Sequence, residues 1–310
     1  MIRSSIDIGS NTCLLLIADV NGSDISVLRE EQRVPRLGRG VDASKKLDED
    51  SIERVLSALR EYREIVQKTA HHTGKTIVTA TSAVRDAANR EEFLKRVKEE
   101  TGFEITILSG DDEAEYTFAG AVSTLYVSEL SKNEKTAVID IGGGSTELIV
   151  GSTHSSEPDF AKSLDIGCVR FTERFFEKAP VSESQLEASY QAALIEIEKL
   201  NWLKDSDISR IVGVAGTVTS IAFIKQKLTK YEPEKLNGVE ITVQEIEELV
   251  EIFRTKTEDQ IVKLHPEVME GRADIFPAGL TILKAFLNVT NRQSLITSTG
   301  GVRHGALLRN

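Results

Sequence analysis

The chain has 310 residues, 40% of them hydrophobic and 28% charged, and carries a net charge of −11. That length and balance suit two well-cored soluble domains, and no apolar run approaches the ~18 residues needed to cross a bilayer. The acidic charge argues against nucleic acid as a partner. It still allows a phosphorylated ligand, met by a local basic patch, backbone amides or a divalent cation.

"MIRSSIDIG" enters a strand almost at once and leaves no room for a signal peptide, so the expected compartment is the cytoplasm, with no membrane partner. Cys13 and Cys168 are too few and too isolated for a disulfide or metal framework, and read as small buried hydrophobes. The first 33 residues fit a three-strand meander, with "NGSD" as a hairpin signal at 21–24. A loop holding Pro35, Gly38 and Gly40 follows. Apolar residues at helical spacing from Ile52 to Val66 then predict a helix ending by Gly74. "KTIVTATSA" reads as a strand, "NREEFLKRVKEETG" as a helix and "FEITIL" as a short strand. "SGDDEAEYTFAGAVSTLYVSEL" reads as a long helix with an acidic first turn.

From residue 136 the pattern starts again. "TAVIDIG" and "STELIVGS" read as strands, with a third inside "EPDFAKSLDIG". Helices follow at about 168–178 and 182–201. "ISRIVGVAG" is a strand opening into the helix "TVTSIAFIKQKL", and "TVQE" at 242–245 is a capping box. "GRADIFPAGLTILKAFLN" is mostly helical, and "SLITSTGGVRHGALLRN" closes with a strand, a glycine turn and a terminal helix. The two halves begin alike 133 residues apart: Asp7 matches Asp140, Gly9 matches Gly142, and Thr12 matches Ser145. The agreement of the flanking strands favours duplication over two unrelated hairpins.

Each of these turns can aim several backbone N–H groups at one point, an arrangement that phosphate commonly occupies. Ser10, Asn11 and Thr12 add side-chain donors to the first turn, and Ser145 and Thr146 to the second, which runs through Gly142, Gly143 and Gly144. Asp7 and Asp140 face the same space, and carboxylates beside phosphate normally hold a divalent metal. The pair therefore predicts a phosphate–metal cleft between two domains. "GVAGTVTSIA", with Gly216 and Thr217, offers helix-start amides for another phosphate, or is a plain tight turn. Arg85 lies just beyond a strand, where it serves either function or the solvated surface. "RVPRLGRG" is either a phosphate clamp or a solvated loop. Asp111, Asp112, Glu113 and Glu115 crowd a helix start. They either compensate its dipole or include a general base for water attacking phosphorus.

"DIGSNT", "ATSAVRDA", "ILSGDDEA", "VIDIGGGSTELI", "SLDIGCVRFTERFF" and "GVAGTVTSIA" occur in the order found in exopolyphosphatases and guanosine pentaphosphate phosphohydrolases. Across essentially its whole length the chain resembles that family. The resemblance implies an α/β protein of two actin-like (ribonuclease-H-like) domains, 1–125 and 126–299, with the active site between them and the terminal helix at about 300–310 packed back on the first. It implies Glu113 as the catalytic base, with Asp112 standing where relatives often carry glutamate. Asp140 and Glu147 match metal-associated acids. Strict alternation in a flat sheet would turn Glu147 to the wrong face, so its assignment comes from the resemblance. Ser10, Asn11, Gly143, Gly144 and Ser145 match phosphate-contacting positions, and Arg85 and Arg36 match arginines near the cleft. Arg39 adds positive charge where relatives are often acidic or neutral.

The implied reaction is Mg²⁺-dependent release of orthophosphate from the end of inorganic polyphosphate, Mn²⁺ being another suitable divalent ion. The alternative is hydrolysis of the 5′-terminal phosphate of guanosine pentaphosphate, pppGpp. A kinase or chaperone ATPase of the same fold, and a non-catalytic polyphosphate or alarmone sensor, are remoter alternatives. Longer relatives carry a further C-terminal helical domain that this sequence lacks, and with it a surface for extending a polyphosphate channel or dimerising. A homodimer is compatible with the remaining chain.

Overall fold

The computed structural model describes residues 1–69, 74–125, 134–152 and 157–309. They fall into two compact units, Met1–Ser123 with Gly300–Asn310, and Thr124–Thr299. In the first unit, β1 (Ile2–Ile8), β2 (Cys13–Asn21) and β3 (Asp24–Arg33) form the expected antiparallel meander. A one-turn α1 (Val41–Ser44) and α2 (Glu49–Lys68) follow, the latter capped by Asp48, whose carboxylate accepts from the Ser51 amide at 3.0 Å. The predicted end of this helix near Gly74 falls partly on residues 70–73, outside the described residues.

β4 (Ile77–Ala80) is shorter than its sequence suggests. Thr81 leaves the strand, and Ser82–Arg85 form a one-turn helix, α3, because their carbonyls and amides close i→i+3 and i→i+4 bonds at the sheet edge. α4 (Arg90–Thr101), β5 (Ile105–Ile107) and α5 (Gly110–Ser123) complete this part of the unit. The predicted continuation of α5 to 130 falls largely on residues 126–133, outside the described residues.

The sheet order is β3-β2-β1-β4-β5, with β1, β4 and β5 parallel. Ile8 pairs with Ala80 and Ala80 with Ile107. The three segments that follow these strands therefore emerge side by side at one edge, where open α/β sheets carry their ligands.

The second unit repeats this plan. β6 (Lys135–Ile141), β7 (Thr146–Ser152) and β8 (Phe160–Leu164) form an antiparallel meander. α6 (Cys168–Phe175), α7 (Glu183–Glu198) and α8 (Asn201–Asp205) follow. The helix expected at 182–201 is α7, which ends at Glu198; Leu200 leaves helical geometry with ψ 77° before the separate α8. β9 (Ile208–Val214) runs into α9 (Ala215–Lys225), and α10 (Pro233–Leu236) leads to β10 (Glu240–Thr242), a three-residue strand that the pattern did not reveal. α11 (Val243–Arg254) carries the expected Thr242–Glu245 capping box. After α12 (Glu258–Leu264) and α13 (Pro266–Met269), the apolar α14 (Phe276–Val289) starts with Pro277 in its first turn, unkinked because that position needs no amide donor.

β11 (Ser294–Thr297) closes a sheet of order β10-β11-β9-β6-β7-β8, with β6, β9 and β11 parallel. Each sheet thus contains a meander 3-2-1 extended by parallel strands 4 and 5, and the two halves are alike in topology as well as in their opening motif. α14 is buried almost throughout and packs against α6, α7 and α11. Cys13 and Cys168 are buried free thiols, and burial pushes the Cys168 thiol up to about 12.

The last helix, α15 (Val302–Arg309), belongs to the first unit and packs on α5, β1 and β2. The approach is backbone to backbone. A Cβ at Gly120 would overlap the Gly301 carbonyl, and one at Gly305 would overlap that of Tyr116. Around this contact, Ser5 Oγ donates to the Arg303 carbonyl at 2.8 Å and Arg303 pairs with Glu30 at 2.6 Å.

His304 in α15 is 2% exposed, and burial, with the neighbouring Arg303 charge, holds its pKa down at about 3. Gly305→Ala should lower the thermal midpoint sharply, by roughly the 1–3 kcal/mol of an overpacked contact or more, and leave soluble, less stable protein; an unchanged midpoint would mean the helices part freely. His304 folds neutral while the unfolded chain takes up its proton below about pH 6.5, so this residue removes stability as pH falls from 6.5 towards 3, by at most ~1.4 kcal/mol per pH unit. Denaturant midpoints of His304→Gln should therefore fall less than wild type between pH 7 and 4.

Candidate functional site

In the first unit the turn after β1 is closed by the Gly9 amide donating to the Thr12 carbonyl at 2.9 Å. Its other carbonyls are drawn to the loop after β3. Gly38 N–H donates to Ser10 O at 2.7 Å, and Arg36 N–H to Asn11 O at 3.0 Å. In a trans peptide the N–H points opposite to the C=O, so the amides of Asn11 and Thr12 face away from that loop. Gly38 is required for this approach, since a Cβ there would fall 2.6 Å from Ser10 Cβ. Arg36 is in the left-handed region at φ 57°, a strain that non-glycine residues carry where surroundings demand it. Ser10 Oγ shares a 3.0 Å hydrogen bond with Ser82 Oγ at the start of α3. Asp7 accepts from Thr79 Oγ1 on the adjacent parallel strand at 3.4 Å.

Glu113 and Arg85 meet at the same edge. Arg85 Nη1 donates to the Leu108 carbonyl at 2.9 Å and to Glu113 Oε2 at 3.0 Å. Glu113 is 6% exposed. The two neighbouring acids have different work. Asp112 closes a capping box with Ser109, accepting from its hydroxyl at 2.6 Å and its amide at 3.3 Å while Ser109 Oγ accepts from the Asp112 amide at 3.1 Å. That leaves Glu113 as the acid whose carboxylate is buried and oriented by a cation.

In the second unit the glycine turn is backed by α6. Cys168 N–H donates to Gly142 O at 2.9 Å, Val169 and Arg170 N–H to Gly143 O at 2.8 and 3.1 Å, and Arg170 Nε to Gly144 O at 2.7 Å. The amides of Gly143, Gly144 and Ser145 consequently point away from α6, and among the described residues none of the three has an acceptor. Gly142, Gly143 and Gly144 do not adopt positive φ. What requires the close approach is Gly167, whose added Cβ would overlap Gly143.

Asp140 and Glu147 are direct cross-strand partners, which puts both side chains on the same face. The wrong-face expectation for Glu147 therefore fails: alternation counted along one strand ignores the register that the hairpin turn imposes. Glu147 is 1% exposed and accepts from Ser163 Oγ at 2.7 Å.

α9 begins with Ala215 at φ 64°. Thr217 turns its side chain onto Gly279, leaving its amide as the group available at the helix start. The Arg272 guanidinium lies against Gly216 where any Cβ would overlap it, and donates to Ser220 Oγ at 3.2 Å. Burial depresses its pKa, and among the described residues no carboxylate pairs with it. A buried cation without a counter-charge is costly and suits a site that receives an anion. Sequence reading missed Arg272. Its only signal was Gly216 itself, whose missing side chain makes room for a residue far along the chain.

Asp7, Ser10, Asn11, Thr12, Arg36, Arg85 and Glu113 thus gather at one edge of the first sheet. Asp140, Gly142–Ser145, Glu147, Gly216 and Thr217 gather at the corresponding edge of the second. Among the described residues no group of three or more His, Cys, Asp or Glu could hold a metal by itself. The Asp140–Glu147 pair fits an ion of Mg²⁺ type, which takes one or two carboxylates and completes its shell with water and phosphate oxygens.

A family model described as the Ppx/GppA phosphatase family matches residues 16–310. The chain is similar to a bifunctional 3-dehydroquinate synthase/phosphatase of Fusobacterium nucleatum, 34% identical over 319 residues that cover 99% of this chain but 46% of that protein. It therefore spans less than half the length of that relative. It is also similar to exopolyphosphatase 2 of Mycobacterium tuberculosis, 31% identical over 291 residues, covering 91% of this chain and 88% of that one. Among solved structures, a Ppx/GppA family member from Aquifex aeolicus aligns with a TM-score of 0.81 and 30% identity, covering 99% of this chain and 96% of that one. The two-unit α/β architecture is shared with that Ppx/GppA structure, no described helix is long and apolar enough to cross a membrane, and the chain belongs to the Ppx/GppA phosphatase family.

Proposed function

We propose that the protein is an exopolyphosphatase, hydrolysing the terminal phosphoanhydride of inorganic polyphosphate and releasing orthophosphate. The observation that carries this reading is the buried Glu113 carboxylate oriented by Arg85 at 3.0 Å. The similarity to an exopolyphosphatase supports the choice of substrate over pppGpp.

In this reading Glu113 takes a proton from water as the water oxygen bonds to the terminal phosphorus. The bridging P–O bond breaks, and the electron pair leaves with the shortened chain. Arg85, anchored on the Leu108 carbonyl, holds the Glu113 carboxylate in place. The phosphate-receiving groups of the first unit are the amides of Asn11 and Thr12 and the Arg36 guanidinium; those of the second are the amides of Gly143, Gly144 and Ser145, the helix start at Gly216 and Thr217, and the Arg272 guanidinium. Ser10 stiffens the first turn through Ser82. In the first unit Asp7 is a candidate metal-associated acid; in the second, Asp140 and Glu147 are the acids assigned to Mg²⁺ or a similar divalent ion. That ion would neutralise phosphate charge and polarise the bond that breaks.

Phosphate release should be compared for long-chain polyphosphate, short-chain polyphosphate, pppGpp and ATP at matched terminal-phosphate concentration. Polyphosphate should be preferred, and Glu113→Gln should lower kcat by about 10²–10⁴-fold, the usual share of a general base. A preference for pppGpp would replace the substrate, and wild-type rates in the variant would remove Glu113 from the chemistry. Excess chelator should abolish release and added Mg²⁺ restore it, because the acids would otherwise meet a polyanion unscreened. Full activity in chelator would overturn the metal assignment.

A further inference from the structure

The glycine turn binds phosphate, on the reading above, through amides that a bare turn would not hold in one direction. Three successive peptide planes, 142–143, 143–144 and 144–145, must share an orientation, and each is fixed from its carbonyl side. The first two carbonyls are taken by main-chain amides at the start of α6, which any sequence could supply. The third, Gly144 O, is taken by a side chain, Arg170 Nε, at 2.7 Å. Arg170 is 7% exposed, and its guanidinium lies 3.9 Å from the exposed Asp165 carboxylate. Its positive charge stands behind the turn and adds to the attraction of the amide face for an anion.

We infer that Arg170 is a positioning residue for substrate phosphate: by holding the Gly144 carbonyl it aims the Ser145 amide, and through the connected turn the Gly144 amide, at the ligand. It touches no reacting atom. Its effect is on how tightly the polyanion is held. The inference rests on the glycine turn being a phosphate site, and it adds a residue that neither composition nor the resemblance assigned.

A charge-assisted hydrogen bond is worth about 1.5–3 kcal/mol, so Arg170→Ala should raise KM for polyphosphate by roughly ten- to a hundredfold while kcat stays within about threefold. A purely structural role would instead reduce the amount of folded protein and leave KM unchanged.

Amide hydrogen exchange of the peptide spanning residues 142–146, with and without polyphosphate, separates the inference from its premise. Polyphosphate should slow exchange in the wild type and fail to do so in Arg170→Ala at the same concentration. No slowing in the wild type would overturn the phosphate role of the turn and the inference with it. Equal slowing in both proteins with unchanged KM would overturn the role of Arg170 alone. Arg170→Lys keeps the charge but not Nε, and carries the same comparison should the alanine variant fail to fold.

Discussion

Everything the two sites can do depends on a constraint of the peptide unit: its N–H and C=O point in opposite directions. Aiming amides at a ligand means finding partners for the carbonyls behind them. Both halves of the chain solve this with the segment that follows the third strand of the meander. In the first, Arg36 and Gly38 donate to the turn. In the second, Cys168, Val169 and Arg170 do so. Each solution needs a glycine where the two backbones meet, Gly38 against Ser10 and Gly167 against Gly143. The likeness of the halves therefore extends beyond "DIG" into the packing that makes the turn useful.

Charge is arranged with similar economy. The chain is acidic overall, but the cations at the two edges stand on or behind backbone turns. Arg170 backs the glycine turn, Arg272 lies on Gly216, and Arg85 orients Glu113. A guanidinium placed there strengthens the pull of neighbouring amides at short range, where a surface patch would be screened by salt. This is how a protein with net charge −11 can suit a polyanionic substrate.

Much of this was legible from residue order, and the exceptions share a cause. The meanders, the order of strands and helices and the Asp7–Asp140 echo follow from alternation and glycine placement, which are local. Glu147 could not be placed by counting along its own strand, since its face is set by pairing with Asp140 across the hairpin. In the sequence Asp112 and Glu113 are told apart by the resemblance alone, which assigns the base to Glu113. The Ser109 cap and the reach of Arg85 give the physical difference between them. Arg272 and Arg170 were hidden more deeply, because each works by touching a glycine from elsewhere in the chain, and glycine announces room without saying who will fill it.

The glycine-to-backbone seam between α5 and α15 also bears on how the protein is made. The second unit is one unbroken stretch, Thr124–Thr299, with all of its strands at hand once that stretch has left the ribosome. The first unit is begun earlier but lacks the helix that covers its central strands until residues 302–309 emerge. The part synthesised first is thus the part completed last. Through that interval β1, β2 and the helix bearing Glu113 present an uncovered apolar face, so nascent chains stalled shortly before residue 302 are the ones whose first unit is most exposed to chaperones and to aggregation.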